Sequence, residues 1–455
     1  MSKVIVIGGG ITGLSAAWAL QQEGVEYALL EKESRWGGKV HTEVVELPEG
    51  KAIIDGGPES FLTRKTAAWD LAGELGIQDQ VIDPGGETRH MFILDSGTPV
   101  EVPLAPVKFI KSSLMSGCGK LRMLTEPFQP PKGDDGDESL ADFVTRRLGR
   151  EALDKFIGPI LGGIYNTDPD KQSVLVSSPI MREMEAEYGG LVKAVIGRVF
   201  GKNKPKRDPN RPRFGAFANG LEEMTDALIA QLTGDLRLNV EIAKVEKSDT
   251  GYRVILDNGE ALDADALIFA TPANVAANFL TNIAPEPAEK LASIRHQNIG
   301  TITLIYKAED AQTKEPIHGL MIPRREKRAI DAVTFTSLKM PARSPKEYSM
   351  LRVFFGGGKS EMVEMSNDDL VATVREELKT LIGISAEPVA NVPFRWVASF
   401  PQADVGHLAK VDEIEAMLPD GIYVTGGSYR GIGVPDCIQQ AKDTVEKLVK
   451  TIERE

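Results

Sequence analysis

The sequence predicts an α/β protein: a Rossmann-like dinucleotide-binding domain, a second domain built on an antiparallel sheet, and a helical insertion. Three observations carry this. The apolar run VIVI (Val4 to Ile7) leads directly into the glycine loop GGGITG and the helix-like LSAAWALQQ. From about residue 286 to 394, runs such as TITLIYK and SMLRVFF alternate in the manner of strands with one face on a core. Within residues 91–213, from 104 onward, apolar residues recur mostly at helical spacing.

With 455 residues the chain is too long for one ordinary core, so two or three domains are expected. It carries 53 basic and 66 acidic side chains, net −13, which argues against broad nucleic-acid binding. Two cysteines, Cys118 and Cys437, give no disulfide framework and point to a reducing compartment. The N-terminus lacks the long apolar region of a secretory signal, and no run approaches the roughly 18 apolar residues of a spanning helix. The expectation is a cytoplasmic protein, peripheral to a membrane at most. Five scattered histidines offer no metal-ligand spacing, and no G-x-S-x-G nucleophile motif occurs.

The first unit reads element by element. A continuous β-branched run, Val4 to Ile7, suits a parallel strand buried on both faces. Gly8, Gly10 and Gly13 then give G-x-G-x-x-G: a tight turn, backbone approach to a pyrophosphate, and close packing of helix on strand. The helix from Leu14 to Gln22, closed by Gly24, offers free amides and a partial positive charge to phosphates. The next strand, Tyr27 to Leu30, ends in Glu31, whose carboxylate suits ribose hydroxyls and repels a 2′-phosphate. A nicotinamide, a flavin, or a bare tight turn beside an exposed acid all remain open at this point.

The following EKESRWGGKVHT narrows the choice. Arg35 can pair with pyrophosphate oxygens, and Gly37 and Gly38 let a second stretch of backbone approach the ligand. A nicotinamide unit has no need of this second glycine pair. E-x-x-x-R-x-G-G after G-x-G-x-x-G resembles the FAD-binding signature of the superfamily of amine oxidases, phytoene desaturases and protoporphyrinogen oxidases. DGGPESF (Asp55 to Phe61), ADALIFATP (Ala264 to Pro272) and the terminal GIYVTGGSYRGIGVPDCIQQAKDTVEKL are similar to its other cofactor segments.

The resemblance implies noncovalent FAD. It would be held by Gly8, Gly9, Gly10, Ile11, Thr12 and Gly13 in the first loop, by Glu31 and Lys32, and by Arg35, Gly38 and Lys39. Gly57, Pro58, Glu59 and Ser60 would run beside the flavin ring, with Trp396 near it. Backbone at Val240, read as part of one strand RLNVEIAKV, would meet the adenine. Gly427, Ile432, Gly433 and Val434 would close the site. The closing helix presents Ile438, Ala441, Val445, Leu448 and Ile452 as one apolar stripe. Its N-terminal amides would favour the negative charge of a reduced flavin.

Across nearly the whole chain the resemblance narrows to the protoporphyrinogen/coproporphyrinogen oxidase branch. FIGPILGGIYNTDPDKQSVLVSSP, MEAEYGGLVKAVIG, FGAFANGL, GLMIPRREKRAIDAVTFTSLKMPAR and FRWVASFPQ carry it. No second G-x-G-x-x-G in a strand–helix setting appears, so electrons would enter from an organic substrate and leave to molecular oxygen or another small acceptor. The branch implies a six-electron oxidation of a porphyrinogen in haem synthesis, with three oxygen molecules becoming peroxide. The soluble Gram-positive form favours coproporphyrinogen III over protoporphyrinogen IX, with other haem-pathway enzymes as partners. An oxidase of amines or polyenes and a flavin-free escort protein of the same fold are the competing readings. No general base is assigned.

The acidic arms of such a substrate call for cations. Lys65 is the first candidate, with Arg64 and Arg89 behind it, although each also reads as a solvated surface cation. Lys193 to Arg213 holds eight basic residues and one acid: a loop, or a surface that steers anionic substrate or lipid. In GDDGDESLADF, Ser139 is placed to cap a helix, with Asp142 at the box position. The expected FAD domain is discontinuous, residues 1–90, 214–285 and 395–455. Residues 91–213 form the insertion and 286–394 the substrate domain.

Overall fold

The computed structural model describes residues 3–84, 90–103, 106–165, 167–200, 211–314 and 317–453. A five-stranded parallel sheet runs in the order Ile422–Val424, Ala266–Phe269, Lys3–Ile7, Glu26–Leu30, Asp235–Arg237. The first strand lies at its centre because Val4, Ile5 and Val6 have no solvent exposure and need a layer on each face. Val4 and Val6 meet the helices Ile11–Gln22 and Val434–Ile452. Ile5 and Ile7 point the other way, into a core shared with the helix Ala273–Leu280 and a three-stranded antiparallel sheet of residues 242–264. Ile438, Ala441, Val445 and Leu448 of the closing helix are buried, as the stripe predicts.

RLNVEIAKV is not one strand. It breaks into Asp235–Arg237 of the parallel sheet and Ile242–Ser248 of the antiparallel one. The break falls at Asn239, which turns the chain with φ +56°, a conformation Asn tolerates better than most residues.

A seven-stranded sheet follows the order Ala390–Pro401, His296–Lys307, Tyr348–Phe355, Ile330–Phe335, Gly319–Met321, Met91–Asp95, Thr98–Glu101. All its pairings are antiparallel except that of Gly319–Met321 with Met91–Asp95. Ile302, Leu304, Leu351 and Val353 pack on the helix Asn367–Ile382. The alternate residues Thr301 and Arg352 turn to the opposite face and reach back to the first domain. Two expected boundaries therefore move: residues 91–101 leave the insertion for this sheet, and the strand Ala390–Pro401 crosses the division drawn at 395.

The insertion is helical, with its own core of Leu140, Phe143, Val144, Leu153 and Val174. Ser139 caps the helix Leu140–Leu148: its Oγ accepts from the Asp142 amide at 2.9 Å and donates to the Asp142 carboxylate at 2.7 Å. Arg147 and Glu126 form a fully buried ion pair, and Glu126 also accepts from the amides of Leu191 and Val192 at 2.8 and 3.0 Å. One carboxylate thus neutralises a buried guanidinium and the positive end of the helix Leu191–Phe200. Most of the basic segment, residues 201–210, lies outside the described residues. Among the described residues no helix is long and apolar enough to cross a membrane.

Candidate active site

The glycine loop folds for two steric reasons. A Cβ at Gly13 would lie 1.8 Å from the Gly8 carbonyl oxygen, so only glycine lets the helix start this close to the strand. At Gly10 the situation is reversed: an added methyl meets nothing nearer than 3.9 Å, at Gly37 and Gly38. The open space above Gly10, between the two glycine loops, is what a pyrophosphate needs. Glu31 sits at the loop, accepting from the Gly9 amide at 2.6 Å and from the Glu33 amide at 2.9 Å. Ile11 and Thr12 are buried in the first helical turn.

Other expected contacts take different forms. Arg35 donates to the carbonyls of Trp36 (3.1 Å) and Gly38 (2.7 Å), so its guanidinium braces the second glycine loop. Lys32 faces solvent beside Glu33. The Val240 amide is spent on the Glu31 carbonyl at 2.9 Å, which fixes the Asn239 turn against the second strand. Lys39 bridges from the second loop to the carbonyl of Ser399, and burial lowers its pKa to about 8 although Cys437 opposes that shift.

The segment Asp55–Ser60 is held by charge from the seven-stranded sheet. The Gly56 carbonyl accepts from Thr301 Oγ1 (3.0 Å), Arg352 (3.0 Å) and Trp396 Nε1 (3.4 Å). Glu59, buried beside Gly57, Pro58 and Ser60, pairs with Lys339 at 2.9 Å and Arg352 at 3.1 Å. Burial alone would raise its pKa, but Lys339, Arg352 and Arg343 outweigh burial and hold the carboxyl well below the usual range. Glu59 therefore anchors the segment to the second domain. Asp55 pairs with Arg343 out of solvent, and Arg343 also donates to the Phe217 carbonyl at 2.8 Å.

On the closing side, Gly427 precedes a turn through Ile432, and Gly433 is the N-cap of the last helix, which begins at Val434. Lys65 already has a carboxylate within the chain: Nζ donates to both oxygens of Asp436 in that helix's first turn, at 2.6 and 2.8 Å. Arg64 is exposed, and Arg89 lies outside the described residues. Cys437 is buried, with its thiol pushed up to about 11 by burial, and stays protonated.

His407, also buried, has Nε2 at 2.7 Å from the Tyr429 carbonyl. Burial lowers its pKa, partly opposed by that hydrogen bond. Unfolding then takes up a proton once pH falls through the ordinary histidine value near 6.5. Stability is complete above that pH and declines below it, by at most about 1.4 kcal/mol per pH unit for this group. Urea unfolding across this range should show the decline, and His407→Gln should make it shallower, leaving the share of His296, whose pKa burial also lowers.

The residues present fit a flavin dinucleotide. The two glycine loops leave backbone open at Gly10, Glu31 stands beside the first of them, and the buried hydroxyls of Thr271 and Thr425, at the ends of two sheet strands, lack partners among the described residues. No group of three or more metal-ligating side chains occurs among the described residues. Sequence reasoning missed Trp36, whose ring covers Gly9, and the cations Lys339, Arg343 and Arg352. Only the aromatic ring between Arg35 and the glycine pair offered a local signal.

Comparison with known proteins agrees with this geometry. The profile of the flavin-containing amine oxidoreductases matches residues 11–449. Coproporphyrinogen III oxidase of Bacillus subtilis is 30% identical over 97% of this chain and 97% of its own length. That of Staphylococcus aureus is 30% identical over 98% and 99%, and the mitochondrial protoporphyrinogen oxidase of Nicotiana tabacum 26% over 99% and 95%. A crystal structure described as a protoporphyrinogen oxidase from Exiguobacterium sp. 255-15 superposes with a TM-score of 0.86 at 25% identity, covering 99% of both chains. Putrescine oxidase, at 16% identity, shares the fold with a TM-score of 0.68 over 99% of both chains. The chain is an oxidoreductase of the flavin-containing amine oxidoreductase family, in the branch of the coproporphyrinogen and protoporphyrinogen oxidases.

Proposed function

We propose that the protein binds FAD noncovalently and oxidises coproporphyrinogen III to coproporphyrin III in haem synthesis, passing six electrons to three molecules of oxygen. The observation that supports this most is the pair of glycine loops with open backbone at Gly10, in a chain that full-length coproporphyrinogen III oxidases match at 30% identity. A flavin held between the two glycine loops would supply the hydride acceptor for this chemistry. The protein's share is placement. Gly56 and Glu59 are locked by Arg352, Lys339 and Trp396, so the segment beside the ring is rigid before substrate arrives. A neutral, buried Cys437 suits noncovalent attachment. Aromatisation of the macrocycle favours the reaction, and no residue is assigned as a general base.

The test offers anaerobically prepared coproporphyrinogen III and protoporphyrinogen IX side by side to the yellow holoprotein, following porphyrin fluorescence and peroxide. Faster oxidation of the first is expected, and indifference to both defeats the reading. Protoporphyrinogen IX remains the second reading because protoporphyrinogen oxidases match nearly the whole chain too.

Lys65 gives a further check. If it exchanges Asp436 for a substrate carboxylate, Lys65→Met raises KM about tenfold, the loss of one charge-assisted hydrogen bond, with flavin content unchanged. Asp436→Asn then lowers KM by freeing the cation. A KM that moves with neither variant removes Lys65 from the substrate site.

A further inference from the structure

The strand Ala390–Pro401 does not pair evenly with His296–Lys307. Gln297 stands opposite Phe400 and Ile299 opposite Trp396, so Asn298 alone faces Val397, Ala398 and Ser399. A bulge of this kind bends and re-aims its strand, and bulges are frequent beside active sites. At its centre Ala398 has φ +44°. The other described non-glycine residues with positive φ, Ser96, Asn239 and Lys327, lie between elements, whereas Ala398 lies inside a strand. Alanine has no polar side chain to support this conformation, which costs roughly 1–2 kcal/mol, so its neighbours must impose it.

Three bonds do so. Asn298 Oδ1 accepts from the Ala398 amide at 2.7 Å, Asn274 Nδ2 donates to the Ala398 carbonyl at 3.4 Å, and Lys39 donates to the Ser399 carbonyl. Asn298 belongs to the same sheet as the bulge, while Asn274 and Lys39 belong to the dinucleotide-binding domain, so the two domains are tied together here. The surroundings point to a ligand. Asn274 Oδ1, Ser399 Oγ and Thr271 Oγ1 are buried without a partner among the described residues, a costly state. Lys39 directly follows the Gly37–Gly38 loop. Thr271 and Asn274 follow the C-terminal end of the strand Ala266–Phe269, the edge of a parallel sheet at which such folds bind ligands. Val397 is 64% exposed and Ala398 is exposed beside it. Unpaired polar atoms next to bare apolar surface suit a ligand with one polar and one apolar edge, as a flavin ring has.

We infer that the bulge Val397–Ser399 is a wall of the cradle on which the flavin ring rests, and that Asn298 is a positioning residue for that ring. By holding Ala398 in its left-handed conformation, Asn298 fixes how far the bulge stands out from the sheet. The inference rests on the reading above that the protein binds FAD. Asn298 acts only through the Ala398 backbone. Loss of its bond lets the bulge relax and the ring shift, which slows the chemical step without changing how substrate is held.

The test uses Asn298→Leu, which keeps the bulk and removes the acceptor. The flavin-free variant should melt near the wild-type temperature, and its affinity for FAD, titrated by flavin fluorescence, should fall about fivefold, the worth of one hydrogen bond. In turnover kcat should fall about tenfold with KM unchanged, the mark of a misplaced ring. A second change separates positioning from mere support. Glycine takes positive φ without help, so Ala398→Gly added to Asn298→Leu should restore most of the FAD affinity and of kcat. Wild-type FAD affinity in Asn298→Leu, a defect that Ala398→Gly does not relieve, or a flavin-free variant that melts well below wild type overturns the proposal. The titration needs no porphyrinogen. A wild type that takes up no FAD defeats the flavin reading together with this one, whereas equal affinity in wild type and Asn298→Leu defeats the role of Asn298 alone.

Discussion

Arg343→Met is expected to lower the free energy of unfolding by about 3–5 kcal/mol, because it strands the buried Asp55 carboxylate. Asp55 and Arg343 are both essentially without exposure, and no water can replace the lost partner. Asp55 also accepts from Thr42 Oγ1 at 2.6 Å and from the Leu221 amide at 3.0 Å, bonds too few to compensate a naked charge. The double variant Asp55→Asn, Arg343→Met should recover part of the loss, since it removes both charges. Urea unfolding of the single and double variants measures this, and a single variant within 1 kcal/mol of wild type, roughly the value of an exposed ion pair, would refute the burial argument.

The second large effect concerns the glycine loop, where two alanine substitutions should fail differently. In Gly13→Ala the new methyl overlaps the Gly8 carbonyl, and Gly8 cannot retreat because its amide is bonded to the Leu30 carbonyl at 2.8 Å. The helix must move outward, so this variant should lose both flavin and about 1–3 kcal/mol or more of stability, as overpacked cores do. Gly10→Ala has room in the protein itself, but its methyl occupies the space assigned to the pyrophosphate. It should keep the stability of the flavin-free protein while flavin content falls at least about tenfold, a loss of 1.4 kcal/mol in binding. Visible absorbance per chain and thermal unfolding separate the outcomes. Two fully yellow variants would mean that the pyrophosphate lies elsewhere.

The contrast between these predictions matches what could be read from the amino-acid order. Gly8 to Gly13, Glu31 and the closing helix were legible because their physics is local: a strand, a turn, a helix and an acid within some thirty residues, or one periodic stripe. Ser139 and Asp142 were legible for the same reason. Asp55 and Arg343 stand 288 residues apart, and nothing in the neighbourhood of either marks it as buried. Arg352 and Glu59 are similar, and Lys65 read as an open cation because Asp436 is 371 residues away. The strands Met91–Asp95 and Thr98–Glu101 were placed with the insertion because their partner, Gly319–Met321, is far along the chain. At Asn239, apolar alternation on both sides concealed a turn that one left-handed residue makes.

The order of strands in the parallel sheet also bears on how the protein is made. Its central strand, Lys3–Ile7, is synthesised more than 400 residues before the edge strand Ile422–Val424 and the helix Val434–Ile452. Val4 and Val6 share a core with Ile438 and Val445, so this strand waits for a helix more than 400 residues later before that face is fully covered. Closure over so long a separation is slow and leaves a sticky intermediate exposed. Cofactor capture therefore belongs after the helix Val434–Ile452 has been made, and a chain cut short before residue 420 should remain colourless however complete its glycine loops are.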